Sequence, residues 1–212
     1  MKRPPRQPIL YLITPGRSTP ENFNQVKAEL IEQIAAAVDA GVSLVQIREK
    51  NLFASQVFEI AATAVDIAQN SGTSILINDR YDIALAAKAD GVHLTANSMS
   101  AAVVRQFVPD DFLIGVSTHT DSEILSAKNN GADLAVFGPV FATPDKGEPI
   151  GLERFLIAAK AFDPFPVLAL GSIDKSNWRQ LIDSGAAGFA AIRLFEDRTK
   201  MKEICRIAEA LR

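Results

Sequence analysis

Residues 40–50 read AGVSLVQIREK, and this stretch holds the unit from which the chain is built. In Ala40-Gly41-Val42 the glycine closes a helix: without a Cβ it takes the left-handed conformation just past the last turn and lets the chain swing into a strand. The strand that follows is apolar at Leu44, Val45 and Ile47 and then turns polar. By the two-residue strand period, Gln46, Arg48 and Lys50 fall on one face while Val45, Ile47 and Glu49 fall on the other. An amide and two cations therefore leave the strand together. The pattern recurs in ILINDR from Ile75, LIGVSTHT from Leu113 and LAVFGPVFATPDK from Leu134. Parallel strands covered on both faces read as near-continuous Val, Ile and Leu, so polar groups gathered at their C-terminal ends imply a pocket shared among strand tips.

Strand-like runs lie at Ile9–Thr14, Leu44–Glu49, Ser74–Asp79, Gly91–Leu94, Leu113–Thr118, Leu134–Val140, Pro166–Gly171 and Gly188–Leu194. Between them apolar residues recur at helical spacing, as in Val26, Leu30, Ile31 and Ile34, or Leu152, Phe155, Leu156 and Ala159. The helix-to-strand phrase returns at Ala89-Asp90-Gly91, Gly131-Ala132-Asp133 and Gly185-Ala186-Ala187-Gly188, each predicting a helix end closed by glycine. Eight such units in 212 residues predict an α/β fold, a single-domain (β/α)8 TIM barrel over 9–212, with an extended or disordered segment at 1–8. An open doubly wound sheet is the competing architecture. ITPGRST after the first strand lacks the G-x-G-x-x-G spacing of a dinucleotide site, which favours the barrel.

Composition narrows the partners. With 48% apolar residues the chain can bury a sizeable core, and 22 basic against 25 acidic residues leave a formal charge of -3, which argues against nucleic acid and anionic membranes. The basic, proline-rich MKRPPRQP leads only into the brief apolar run Ile9 to Ile13, too short for a signal-peptide core. No stretch approaches the roughly 18 apolar residues of a spanning helix, so a soluble, cytoplasmic protein is expected. Cys205 is the sole cysteine; it excludes an internal disulfide and a cysteine-based metal site, and reads as a buried thiol of the last helix.

LVQIREK, then NDR, GVHL, G-V-S-x-H-T, GPVFATPDK and LGSI, taken in that order from LYLIT at Leu10 to AAIRLF at Phe195, resemble the thiamine phosphate synthase and TenI family. The resemblance implies a (β/α)8 barrel acting on phosphorylated pyrimidine and thiazole precursors of thiamine, with Mg2+ as cofactor and a homodimer as the assembly. It implies a thiamine phosphate synthase, in which pyrophosphate leaves a hydroxymethylpyrimidine and the thiazole nitrogen captures the resulting cation. Gln46, Arg48 and Lys50 match the pyrophosphate-binding strand, Asn78 a further polar contact, and Asp79 a Mg2+ ligand. Ser117 matches the serine set against the pyrimidine and His119 the histidine near the reacting centre, which with Lys50 makes the catalytic group. Thr143 and Lys146 match the loop on the thiazole phosphate, with Gly138 keeping the backbone close; Gly171, Ile192 and Arg193 match the phosphate cradle after the last two strands.

Several of these residues have plainer uses. Asp79 suits the N-cap of a helix beginning near Arg80, and Thr120-Asp121-Ser122-Glu123 has the spacing of a capping box. His93 reads more readily as a satisfied core histidine, and Phe112, Phe137 and Trp178 as core or interface. The chain also departs from the family pattern. HLTANSMS places Ala96 and Ser98 where the synthases carry a glutamine and a second Mg2+-binding aspartate, so Ser98 is a weak substitute ligand. Gly171-Ser172 replaces a double glycine, Asp145 a threonine and Arg193 a serine. Asp145 would repel a phosphate, and Arg193 could offset it. The Ser98 neighbourhood is closer to TenI, the thiazole tautomerase, which uses the histidine after the fifth strand as acid and base without metal. Lys50 and Asp79 have no task in that reaction. A third reading is a binder of thiamine precursors that has lost turnover.

Overall fold

The computed structural model describes residues 8–144 and 146–210. All but the last residue of the expected 1–8 segment, Asp145, and the last two positions of the 9–212 barrel lie outside the described residues. Eight strands, β1 (Ile9–Ile13), β2 (Leu44–Ile47), β3 (Ser74–Asn78), β4 (Gly91–Leu94), β5 (Leu113–Thr118), β6 (Leu134–Phe137), β7 (Val167–Ala169) and β8 (Gly188–Ala191), pair in parallel and in chain order. β8 returns to β1, with Ile9 opposite Gly188 and Leu12 opposite Ala191, so the sheet closes into the expected barrel. The helices α1 (Phe23–Ala40), α2 (Ala54–Ala68), α3 (Tyr81–Ala86), α4 (Ala101–Val104), α5 (Asp121–Asn129), α6 (Leu152–Ala161), α7 (Trp178–Asp183) and α8 (Arg198–Ala210) alternate with the strands.

The strand period divides the apolar residues into two cores. Ile9, Tyr11, Leu44, Leu76, Leu113, Leu134 and Leu168 point inward and fill the barrel. Leu10, Leu12, Val45, Ile47, Ile75, Ile77, Val92 and Ile114 point outward against the helices. Burying one such aliphatic side chain contributes about 1.5–3 kcal/mol, so both faces of every strand are held by the same force. Each helix returns one stripe to this outer core; α8 buries Met201, Ile204, Cys205 and Ala208, four positions at helical spacing. Phe112, Phe137 and Trp178 are all buried in the core, which settles their place away from the surface. Among the described residues no helix is long and apolar enough to cross a membrane.

The glycine phrase behaves as expected at Gly41, which has φ 82° and donates its N–H to Val38 O. At Ala89-Asp90-Gly91 it does not. There Lys88 takes the left-handed position, with φ 58°, and Gly91 is instead the first residue of β4. Its small size serves the sheet: a Cβ on Gly91 would lie 2.2 Å from Leu113 O on the neighbouring strand. Strand pairing also stops at Ile47, Asn78, Phe137, Ala169 and Ala191, short of the ends read from sequence, because the polar tips peel away into the loops that form the upper rim.

Gly91→Ala should cost at least about 2 kcal/mol in urea denaturation, since backbone oxygen and not a pliable side chain occupies the space. Gly72→Ala, whose Cβ meets nothing within 4 Å, should stay within about 0.5 kcal/mol of the parent.

Candidate active site

The C-terminal ends of the strands open into a cavity of about 540 Å³. Its apolar lining includes Ile13, Val136, Leu170 and Ala190, the uppermost members of the inner core. The walls are the polar strand tips. Gln46, Arg48, Lys50, Asn78, Ser117, His119, Thr143, Lys146, Gly171, Ile192 and Arg193 all line this one cavity. Asp79 and Ser98 do not.

On β2 the alternation works as the two-residue period requires. Gln46 is buried and donates from Nε2 to Asn78 Oδ1 at 3.0 Å. Arg48 is anchored through its backbone N–H to Thr14 Oγ1 at 2.8 Å. Glu49, between the cations and facing away, accepts the N–H groups of Gly16 and Ser18, each at 3.0 Å. These charge-assisted bonds pin the loop after β1 and hold the backbone from which Arg48 and Lys50 project. The Lys50 ammonium has a lowered pKa, first from desolvation, then from the nearby charges of Arg48 and Lys146; Asp79 works in the opposite direction. The rim therefore carries more positive charge than its own carboxylate balances, and an arriving anion relieves that repulsion.

Asp79 follows Asn78 at the rim, exposed and with φ 64°, a left-handed conformation that few residues other than glycine adopt. The expected N-cap role fails: Arg80 occupies the N-cap of α3, and no side chain caps that helix. Asp79 reaches Lys50 through its charge. Ser98 is tied to its own loop, where Oγ accepts the Thr95 N–H at 2.8 Å and lies 3.2 Å from Thr95 Oγ1. That geometry turns its hydroxyl into a turn-closing group. Among the described residues no three His, Cys, Asp or Glu side chains form a metal-ready cluster.

His93 is both the satisfied core residue the sequence suggests and a part of the cavity lining. Its Nδ1 lies 3.1 Å from the Tyr11 hydroxyl and its Nε2 lies 2.9 Å from Ser117 Oγ. Burial, then the charge of Arg48, lowers its pKa to about 4, and burial raises that of Tyr11, so both are neutral near pH 7. Each ring nitrogen thus has one hydroxyl partner, Tyr11 at Nδ1 and Ser117 at Nε2, and the neutral ring donates to one and accepts from the other. Gly115 makes room for this ring, since a Cβ there would lie 2.9 Å from His93 Nδ1. The signal available in the sequence was the alternation of His93 with Val92 and Leu94, which faces it inward.

His119 is exposed at the far side, with Nδ1 donating to Gly138 O at 2.6 Å. In its neutral form this leaves Nε2 as an acceptor. The capping box after it is shifted: Thr120 Oγ1 accepts the Glu123 N–H at 3.2 Å, but the Glu123 carboxylate takes the N–H of His119 and not that of Thr120. Thr143 Oγ1 lies 3.1 Å from Ser172 Oγ, and Gly171, with φ 114°, packs so tightly that a Cβ would sit 2.6 Å from Pro139 Cα.

Known proteins resemble this arrangement over almost the whole chain. A family model described as thiamine monophosphate synthase matches residues 10–195. A thiamine-phosphate synthase of Chlorobium luteolum is 34% identical over 210 residues, 98% of this chain and 94% of the relative. That of Syntrophomonas wolfei is 37% identical over 186 residues, 86% of each. The solved structure of a thiamine phosphate pyrophosphorylase from Pyrococcus furiosus superposes with a TM-score of 0.82 at 31% identity, covering 96% of both chains.

The neutral His93 ties stability to pH. The unfolded chain takes up the histidine proton near pH 6.5 and the folded one only near 4, so stability is lost as pH falls through that window. Urea titrations between pH 7 and pH 4 should show the parent losing about 2–4 kcal/mol more than His93→Gln. Parallel curves for the two would remove the imidazole from the account.

Proposed function

Because the chain belongs to the thiamine monophosphate synthase family, we propose that its cavity joins a hydroxymethylpyrimidine pyrophosphate to a thiazole phosphate and releases pyrophosphate. The observation that carries this reading is the group Arg48, Lys50 and Lys146 lining one cavity, close enough for the other two to lower the Lys50 pKa. In the reaction the bond between the pyrimidine methylene and the pyrophosphate oxygen breaks, and the electron pair leaves with the oxygen. Fixed cations in a partly desolvated site stabilise the charge that develops there without waiting for solvent to reorganise. The lone pair of the thiazole nitrogen then forms the new bond to the methylene carbon. Ser117, held by neutral His93, and the Gln46–Asn78 pair offer directional hydrogen bonds to the heterocycle above an apolar floor.

Mg2+ is the cofactor this reading calls for. Asp79 fits it, as a rim carboxylate engaged in no helix cap, because Mg2+ commonly takes one or two carboxylates and completes its shell with phosphate oxygens and water. Ser98 does not fit, since its hydroxyl closes a turn on Thr95. When bound, Mg2+ supplies further neutralisation of the leaving pyrophosphate, while this chain's own residues bind and orient it.

One observation favours a second reading. With Nδ1 donating to Gly138 O, the His119 ring presents Nε2 as a base, the group a thiazole tautomerase uses. Supplying both substrates and titrating Mg2+ separates the readings. Metal-dependent formation of thiamine phosphate is expected, and Lys50→Met should lower kcat about 10²–10³-fold. Asp79→Asn should raise the Mg2+ concentration at half-activity, and His119→Asn should stay within about tenfold of the parent, a loss smaller than general acid–base catalysis would give. Metal-free isomerisation of a thiazole carboxylate phosphate that His119→Asn abolishes would replace the synthase by the tautomerase. Tight binding with neither product would leave a binder.

A further inference from the structure

Three residues past the end of β2, Lys50 brings an amine to the cavity lining without a bonded partner. Glu49, its neighbour in the chain, is satisfied by the N–H groups of Gly16 and Ser18. Asp79 reaches Lys50 through charge alone, and among the described residues the ammonium forms no ion pair or hydrogen bond. Arg48 and Lys146 stand on the same lining, and their like charges add to desolvation in lowering the Lys50 pKa. Loss of water and a neighbouring cation are two ways in which proteins turn a lysine into a nucleophile. Each unit by which an ammonium pKa falls raises its free-amine fraction near pH 7 about tenfold. Arg48 does not compete, since a guanidinium keeps its proton throughout this range. The cavity supplies what an amine alone lacks. In a space of about 540 Å³ it sets Lys50 among two further cations that gather an anion and the apolar Ile13, Val136 and Leu170, which suit a flat ring.

We propose that Lys50 is a covalent capture site for phosphorylated aromatic aldehydes, its amine forming an imine with an aldehyde whose phosphate is drawn in by Arg48 and Lys146. The site goes beyond the joining of two substrates and does not rest on the synthase reading. The Nζ lone pair bonds to the carbonyl carbon, and the carbonyl π electrons pass to the oxygen, which takes one proton from the nitrogen. The carbinolamine so formed loses that oxygen as water with the second nitrogen proton, leaving a C=N double bond. One amine and one aldehyde give one imine and one water, and the step needs no oxidant. Lys50 is exposed at the rim, so solvent can carry the protons and accept the water. An aldehyde without a phosphate lacks the hold of the cations, and a phosphate without an aldehyde binds reversibly. A captured ring closes the cavity to other anionic ligands, so capture is also inhibition.

The test exposes the full chain, without thiamine precursors, to pyridoxal phosphate, a phosphorylated pyridine aldehyde. Borohydride then reduces the imine to a stable secondary amine, and peptide masses locate it. The parent is expected to carry the adduct on Lys50 at least about tenfold above any other lysine. Pyridoxal, which lacks the phosphate, should label Lys50 at least about tenfold more slowly, and inorganic pyrophosphate added first should protect it. Lys50→Arg keeps the charge and removes the nucleophile. It should lose the adduct yet still bind deoxypyridoxine phosphate, which has no aldehyde, and that binding shows the variant folded with its cavity intact. Lys146→Met should slow capture about tenfold and leave Lys50 the labelled residue. An adduct spread over exposed lysines, one seated on Lys146, or one formed equally fast with pyridoxal would overturn the proposal. Capture by a parent that makes no thiamine phosphate leaves the site standing and removes the synthase reading; synthesis without capture does the reverse.

Discussion

Closure of the sheet from β8 onto β1 is the constraint on which the other features of the molecule depend. Ile9 to Leu12 run in register with Gly188 to Ala191, and the backbones approach so closely that a Cβ on Gly188 would lie 2.1 Å from Ile9 O. A closed ring leaves every inward side chain facing its counterparts across the axis. Low in the barrel these are Leu44, Leu76, Leu113 and Leu134, which fill it. Two residues further along the same strands they are Gln46, Asn78, Gly115 and Val136, and the packed core gives way to a cavity. The transition needs small residues as well as polar ones: Gly115 admits the His93 ring.

Burial then divides the cavity into two electrostatic zones. At the floor it lowers the His93 pKa to about 4 and raises that of Tyr11, so this part supplies hydrogen-bond direction without charge. At the rim desolvation also leads the lowering of the Lys50 pKa, and there the like charges of Arg48 and Lys146 lower it further. A neutral, partly apolar floor beneath a cationic rim suits a flat heterocycle carrying an anionic tail. Arg193, after β8, adds a further cation to the lining.

Much of this was readable from single stretches. In AGVSLVQIREK the glycine cap, the strand and the shared face of Gln46, Arg48 and Lys50 all follow from relations between residues a few positions apart, and all three side chains do line one cavity. Reading failed where a choice of partner mattered. Gly91 has the sequence context of a cap, yet Lys88 takes that conformation because Gly91 is needed beside Leu113. Asp79 has the type of a capping residue and caps nothing. Glu49 falls on the face opposite the cations, and only the fold brings the loop after β1 over it, with two N–H groups at its carboxylate.

By itself, then, the order of residues determined the eight strand–helix units, the direction of each strand's faces and the set of polar tips, because helix and strand periods are properties of the local backbone. Tertiary structure decided the meaning of each tip. His93 becomes a neutral holder of Ser117 only through Tyr11, 82 positions away in the chain, and through a burial that no neighbouring residue encodes. Ser98 turns from the cavity to Thr95, whereas Arg193 is left facing it with its neighbouring carboxylates already taken. Hydrogen-bond partners and solvent exposure depend on which loops the closed barrel brings together, and that is a long-range outcome of folding.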